Sequence, residues 1–217
     1  MKKILLTLFA TALIAGPSMT GDILLRFYRT KDTESRPRFS LYYQTEHFRV
    51  WYDTTGSDAV EDIDIDPANG MPDYVEKTAG YLEHAWQVEC VELGFREPLP
   101  DSQTYASIDP FEDVGGDNRW DAYLTNLSGG FYGATIPDRS IDSAGHQYTT
   151  GYMKINGNMR SLYGYEDDPY PALAVTCAHE FQHMIQFHYR HGNDFVWQME
   201  ATATFMEEYV YDEVNDW

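Results

Sequence analysis

Apolar residues recur along this chain with two periods, and the switches between them outline its elements. Period two appears first at His47–Tyr52, where Phe48, Val50 and Tyr52 alternate with His47, Arg49 and Trp51, as in a strand with one buried face. Thr54–Asp58 then turns the chain. Period 3.6 takes over at Tyr74–Leu93, where Val75, Ala79, Leu82, Trp86, Cys90 and Leu93 step by three and four. Pro72-Asp73 supplies the start of that helix and Gly94 its stop. Pro98–Asp113 is loop-like, and strand character returns at Ala122–Leu127, in the short run Gly129–Thr135 and at Tyr148–Ile155. His47 falls at a sheet surface, His84 just off the helical stripe, and His146 in the loop before the last strand. A second helical pattern centres on Thr176–His191, between Pro169 and Pro171 at its start and Gly192 at its end. A third opens at Trp197.

These elements predict one mixed α+β domain over residues 46–217: strands first, one helix crossing between them, then two helices. No repeat and no long Gly/Ser linker divides it. Residues 1–20 read as a secretory signal, because Lys2-Lys3 precede an apolar run, Ile4–Ala15, that is too short to span a bilayer. A buried N-terminal helix or an uncleaved anchor is the alternative. Residues 21–45 show mixed charge and no sustained period, so a poorly structured segment is expected there, with Lys31–Arg38 exposed. The last residues, Glu207–Trp217, are still helical in character, which reads as a domain truncated at its C-terminal end.

The chemistry concentrates in the second helix. His179-Glu180-Phe181-Gln182-His183 places two imidazoles four residues apart, one above the other on a helix face. At 100° per residue, Ala174, Cys177, Ala178, Phe181, Met184, Ile185 and His188 gather on one side, while His179, His183 and, at the edge, Glu180 lie opposite. Packing and ligation therefore do not compete. Two neutral imidazole nitrogens suit zinc, and the adjacent carboxylate is placed to take a proton from water. A catalytic zinc site commonly has three protein ligands, and Glu200, in the third helix, follows His183 by seventeen residues. A metzincin would need Gly and His three and six residues after His183; Gln186 and Tyr189 stand there instead. For the partners that fix the histidine tautomers, Glu207 lies two turns beyond Glu200 near the same face, and Thr204 is the alternative one turn on. A solvated helix acid is the plainer account of Glu207. Tyr189, His188, His191, Tyr209 and Tyr211 are the nearby candidates for stabilising an oxyanion.

At these residues the chain resembles the gluzincin zinc metallopeptidases, whose third ligand is a glutamate on a following helix, and within them secreted bacterial metallopeptidases. The run WQMEATATFMEE is similar to the WxxE-(G/A)xA pattern of that group, with Glu207 matching an acid seven residues on. The likeness is specific over about 172–216. The spacing before Glu200 is shorter than in well-known gluzincins, and Ala201 stands where many have glycine. The resemblance implies a zincin-like fold, a twisted mixed sheet packed on helices. It implies zinc held by His179, His183 and Glu200, with Glu180 as general base in the hydrolysis of a protein or peptide substrate. It also implies an edge strand that holds the substrate backbone, a part open to either Gly129–Thr135 or Tyr148–Ile155. The alternative function is a non-catalytic zincin-like binding or adhesion module of the cell surface.

Composition narrows the partners. The net charge of −20 becomes −22 once Lys2 and Lys3 are removed (−20 minus two positive charges). Such a chain repels nucleic acid and anionic lipid, so neither is an expected partner, and no stable membrane insertion is expected after signal cleavage. Export to the extracellular space, cell surface or periplasm is the expected destination. Asp62, Asp64, Asp66, Asn69 and Asp73 crowd around a glycine and suggest a calcium loop, although the EF-hand spacing is absent and an acidic turn before a helix explains them equally. Asp113, Asp117 and Asp121, with Gly115-Gly116, form a second cluster that turn chemistry alone accounts for. Cys90 and Cys177 each fall on an apolar helix face and read as small buried hydrophobes, with one core bridge as the alternative.

Overall fold

The computed structural model describes residues 36–61, 63–100, 115–143, 146–190 and 196–214. In chain order the elements are β1 (Leu41–Gln44), β2 (Phe48–Tyr52), α1 (Asp73–Trp86), β3 (Trp120–Thr125), β4 (Gly133–Ser143), β5 (His146–Asn156), α2 (Tyr170–Tyr189) and α3 (Val196–Val210). The strands form one mixed sheet in the order β1-β2-β3-β5-β4. The pairs β2–β3 and β3–β5 are parallel, and the flanking pairs β1–β2 and β5–β4 are antiparallel. Among the described residues the protein is thus an α+β molecule with a five-stranded mixed sheet and three α-helices.

One face of the sheet carries the core. Phe48 and Val50 of β2, Ala122 and Leu124 of β3, and Met153 and Ile155 of β5 are all fully buried there, beneath Val75 and Leu82 of α1 and Leu173 and Phe181 of α2. Phe181 is wedged between Phe48 and Trp120, with ring centroids 5.3 and 5.7 Å away. α3 packs on α2, so α2 has neighbours on most sides. Its run Ala172–Ala178 is accordingly buried throughout, which an amphipathic surface helix would not tolerate.

Several expectations shift. The helix predicted over Tyr74–Leu93 is α-helical only to Trp86; Gln87–Glu92 widen into a π-helical turn in which Leu93 N–H bonds to Val88 O at 2.9 Å. That turn carries Glu89 into the interior, where it is fully buried and neither carboxylate oxygen has a hydrogen-bond partner. Burial pushes its pKa well above the usual carboxylate range. The strand expected at Ala122–Leu127 begins earlier, at Trp120, because Trp120 N–H bonds to His47 O and its Cα pairs with Phe48. His146 opens β5 and is not in a loop. β5 lies inside the sheet, and β4 is the edge on that side.

The poorly structured segment expected over residues 21–45 is corrected in its last part; residues 1–35 lie outside the described residues. Leu41–Gln44 pairs with β2. Arg36 is only 8% exposed: its guanidinium reaches Asp121 at 2.6 Å and Asp138 at 2.8 Å and lies over the Tyr152 ring. Of the second acidic cluster, Asp113 lies outside the described residues, Asp117 pairs with Arg49 and Arg119, and Asp121 pairs with Arg36. Both cysteines are free thiols, and Cys177 is fully buried. Among the described residues, no helix is long and apolar enough to cross a membrane.

Candidate metal centre

Pro169 is the N-cap of α2 and Pro171 lies in its first turn, where a missing N–H costs nothing. It then delivers His179 and His183 to the same face, and α3 crosses that face with Glu200. The three donor atoms converge. His179 Nε2 lies 3.0 Å from His183 Nε2, and Glu200 presents one oxygen 3.4 Å from the first and the other 3.6 Å from the second. Tetrahedral ligands about 2.0–2.1 Å from a zinc ion stand about 3.3–3.4 Å apart, so these separations match the edges of such a polyhedron. Among the described residues, this is the one group of three His, Cys, Asp or Glu side chains whose donor atoms all fall within 4.8 Å of one another.

The surrounding hydrogen bonds set the tautomers. His179 Nδ1 lies 2.5 Å from Glu207 Oε1, a carboxylate that only accepts when ionised, so Nδ1 carries the hydrogen. His183 Nδ1 lies 2.8 Å from Gln186 Oε1. The amide of Gln186 is oriented by its own nitrogen, which donates to Met199 O at 2.9 Å and Thr202 Oγ1 at 2.8 Å. Both histidines are therefore Nδ1–H tautomers when neutral, and their Nε2 lone pairs point at each other beside a carboxylate. Three electron-pair donors so arranged repel unless a cation stands between them. The donor set fits zinc.

Burial by itself lowers the pKa of His179, but its contacts with Glu200 and Glu207 outweigh this and hold it well above the usual histidine range. Burial likewise raises Glu200, yet the bonds from His179 and His183 dominate and hold its carboxyl well below the usual range. Glu180, 4% exposed, goes the other way: burial raises its pKa, with His179 and His183 countering in part. Its carboxylate does not join the three donors. It lies against β4, accepting a hydrogen bond from Thr135 Oγ1 at 2.7 Å.

The other predicted residues are placed as follows. Glu207 is 5% exposed and holds His179. Thr204 is half-buried on α3 and has no hydrogen bond to either ring. Gln186 holds His183 instead, and sequence reading passed over it. The available signal was its position three residues beyond His183, which puts the two side chains side by side on the helix. Of the oxyanion candidates, His188 faces Glu97 O, the Tyr189 hydroxyl accepts from Arg96 N–H, and the Tyr211 hydroxyl donates to Tyr81 O. Tyr209 is half-exposed, and His191 lies outside the described residues.

The suggested calcium loop is built on other terms. Asp62 lies outside the described residues. Asp64 accepts the backbone amides of Asn69 and Gly70, and Asp73 accepts those of Ile65 and Asp66, so these carboxylates close the turn before α1. Asn69 bonds Glu76 and the amide of Met71. Asp66 sits at the turn's tip, and the described acids of this loop do not gather into a three-ligand set.

No protein-family profile, curated protein or solved structure matches this chain.

Proposed function

We propose that this protein is a secreted zinc-dependent endopeptidase of zincin-like fold, with His179, His183 and Glu200 as metal ligands and Glu180 as general base. The observation that carries the reading is the convergence of the two Nε2 atoms and the Glu200 carboxylate within 3.0–3.6 Å, with both opposite ring nitrogens tied down. A zinc ion held there supplies Lewis acidity that polarises a peptide carbonyl and acidifies water at neutral pH. The residues of the chain do the remaining work. Glu207 and Gln186 keep the imidazoles aimed. Glu180 accepts a proton from the attacking water and returns it to the leaving amine. Its burial-raised pKa favours the second half of that exchange, since a carboxyl that readily holds a proton is a better acid.

The edge position of β4 supports a place for the substrate. An extended peptide adds to a free sheet edge through backbone hydrogen bonds, and β4 runs past Glu180 at Gly133 and Thr135. Lys2-Lys3 and the apolar run Ile4–Ala15 support export.

The test is zinc stoichiometry together with cleavage of casein or a quenched fluorescent peptide, wild type against Glu180→Gln. One zinc per chain and turnover that disappears in the variant are expected. Zinc bound with no Glu180-dependent turnover would refute the peptidase and favour the non-catalytic binding module.

A further inference from the structure

The Glu180 carboxylate rests in a seat provided by β4. Gly133 and Thr135 are two residues apart on that strand and so project to the same face, the one turned towards α2. Thr135 is fully buried, and its single hydroxyl places Oγ1 2.7 Å from Glu180 Oε2 and 2.8 Å from the Glu180 backbone oxygen. The one hydroxyl hydrogen is shared between the carboxylate and the main chain of the same residue, a bifurcated bond that restricts the torsions between them. Gly133 completes the seat by lacking a side chain. A Cβ there would come within 2.6 Å of Glu180 Oε1 and 2.8 Å of Thr176 Cγ2. The carboxylate fills the volume that any other residue at 133 would occupy. Threonine is otherwise a routine strand residue, and Gly133 has no positive φ to explain it. Contact with Glu180 accounts for both.

We propose that Gly133 and Thr135 are positioning residues for Glu180, so that the strand offered to the substrate backbone also sets the direction of the general base. This inference rests on the peptidase reading given above. One rigid element then registers both reactants, the peptide on its open edge and the carboxylate on its α2-facing side.

The experiment compares zinc-loaded wild type, Thr135→Val, Thr135→Ser and Gly133→Ala by zinc content, kcat and KM on a quenched peptide, and crystal structures. Thr135→Val keeps shape and removes the donor; Thr135→Ser keeps the donor; Gly133→Ala keeps the donor and crowds the seat. Each is expected to bind one zinc. Losing an aligned general base accounts for factors of 10²–10⁴, so misaligning it is expected to lower kcat about 10–100-fold in Thr135→Val and Gly133→Ala. KM and the Thr135→Ser kcat are expected to stay within about threefold of wild type. The Glu180 carboxylate is displaced in the first two crystal structures and retained with serine. An unmoved carboxylate with wild-type kcat in Thr135→Val overturns the proposal, as does loss of zinc from that variant or failure of serine to restore activity. Should the wild type itself cleave nothing, the peptidase reading falls, and the seat is judged on the crystal structures alone: a carboxylate unmoved by both perturbations refutes it.

Discussion

Replacing Glu207 by alanine probes the proposed metal centre without touching a proposed ligand. The bond it removes is 2.5 Å long, charge-assisted and buried, since Glu207 is 5% exposed. Bonds of that kind contribute about 1.5–3 kcal/mol. At about 1.4 kcal/mol per decade, the ceiling is a roughly 10–100-fold loss of zinc affinity, the range typical of partners that orient a liganding histidine. One effect works in the opposite direction. Glu207 also holds the competing proton on His179, so its removal makes that proton easier to displace. The deficit is therefore partly masked at acidic and neutral pH and fully expressed in alkaline solution. Zinc affinity should be measured by competition with a chromophoric chelator across that range, with circular dichroism to confirm folding. Glu207→Gln, which keeps an acceptor but not the charge, is expected to fall between alanine and wild type. A folded Glu207→Ala protein that binds zinc as tightly as wild type in alkaline solution would show that the bond orients nothing.

Three further outcomes follow from the same contacts. Gln186→Leu removes the acceptor at His183 and the donor to Met199 O and Thr202, so the urea midpoint should fall by an amount equivalent to about 1–3 kcal/mol, and zinc should bind more weakly; an unchanged midpoint contradicts this. Phe181→Ala empties the space between Phe48 and Trp120 and should cost about 3–5 kcal/mol in chemical denaturation, a loss under 1 kcal/mol being incompatible with the packing described. Zinc loading should expel about one proton, because metal binding requires a deprotonated ligand and His179 holds its proton well above the usual range. Apparent affinity therefore rises with pH, and calorimetry in two buffers of different ionisation enthalpy would count the proton. In the metal-free chain the sign reverses: the raised pKa stabilises the fold fully below the ordinary histidine value, and that stability fades as pH climbs through the elevated one.

The helix that bears His179 and His183 was legible because its signals are local. His179 and His183 are four apart, Pro169 and Pro171 mark a start, and the apolar side of α2 follows from period alone. Glu200 was readable as a distance along the chain, since the acid stands near the start of the next helix. Non-local facts left no such trace. Arg36 looks like any charged residue of an irregular segment, yet its partners are 85 and 102 residues away. Nothing in Tyr148–Ile155 distinguishes an interior strand from an edge; that depends on β3 and β4 arriving on either side, and only then are Tyr152 and Met153 both fully buried. Gln186 was missed because an amide can donate or accept, and its role is decided by Met199 and Thr202 on another helix. The acidic loop before α1 is ambiguous for a related reason: Asp64 and Asp73 bond backbone amides a few residues away, a role that composition cannot tell from coordination.

Glu200, Glu207 and the two groups that orient Gln186 all ride on α3. If α3 undocks, the candidate site loses the Glu200 carboxylate and the supports of both histidines in a single event. On the zinc reading proposed above, exchange of the ion would be gated by a local opening of this helix, whose side chains Met199, Ala203 and Met206 are buried. A substitution under α3, remote from every donor atom, would set how long the ion stays.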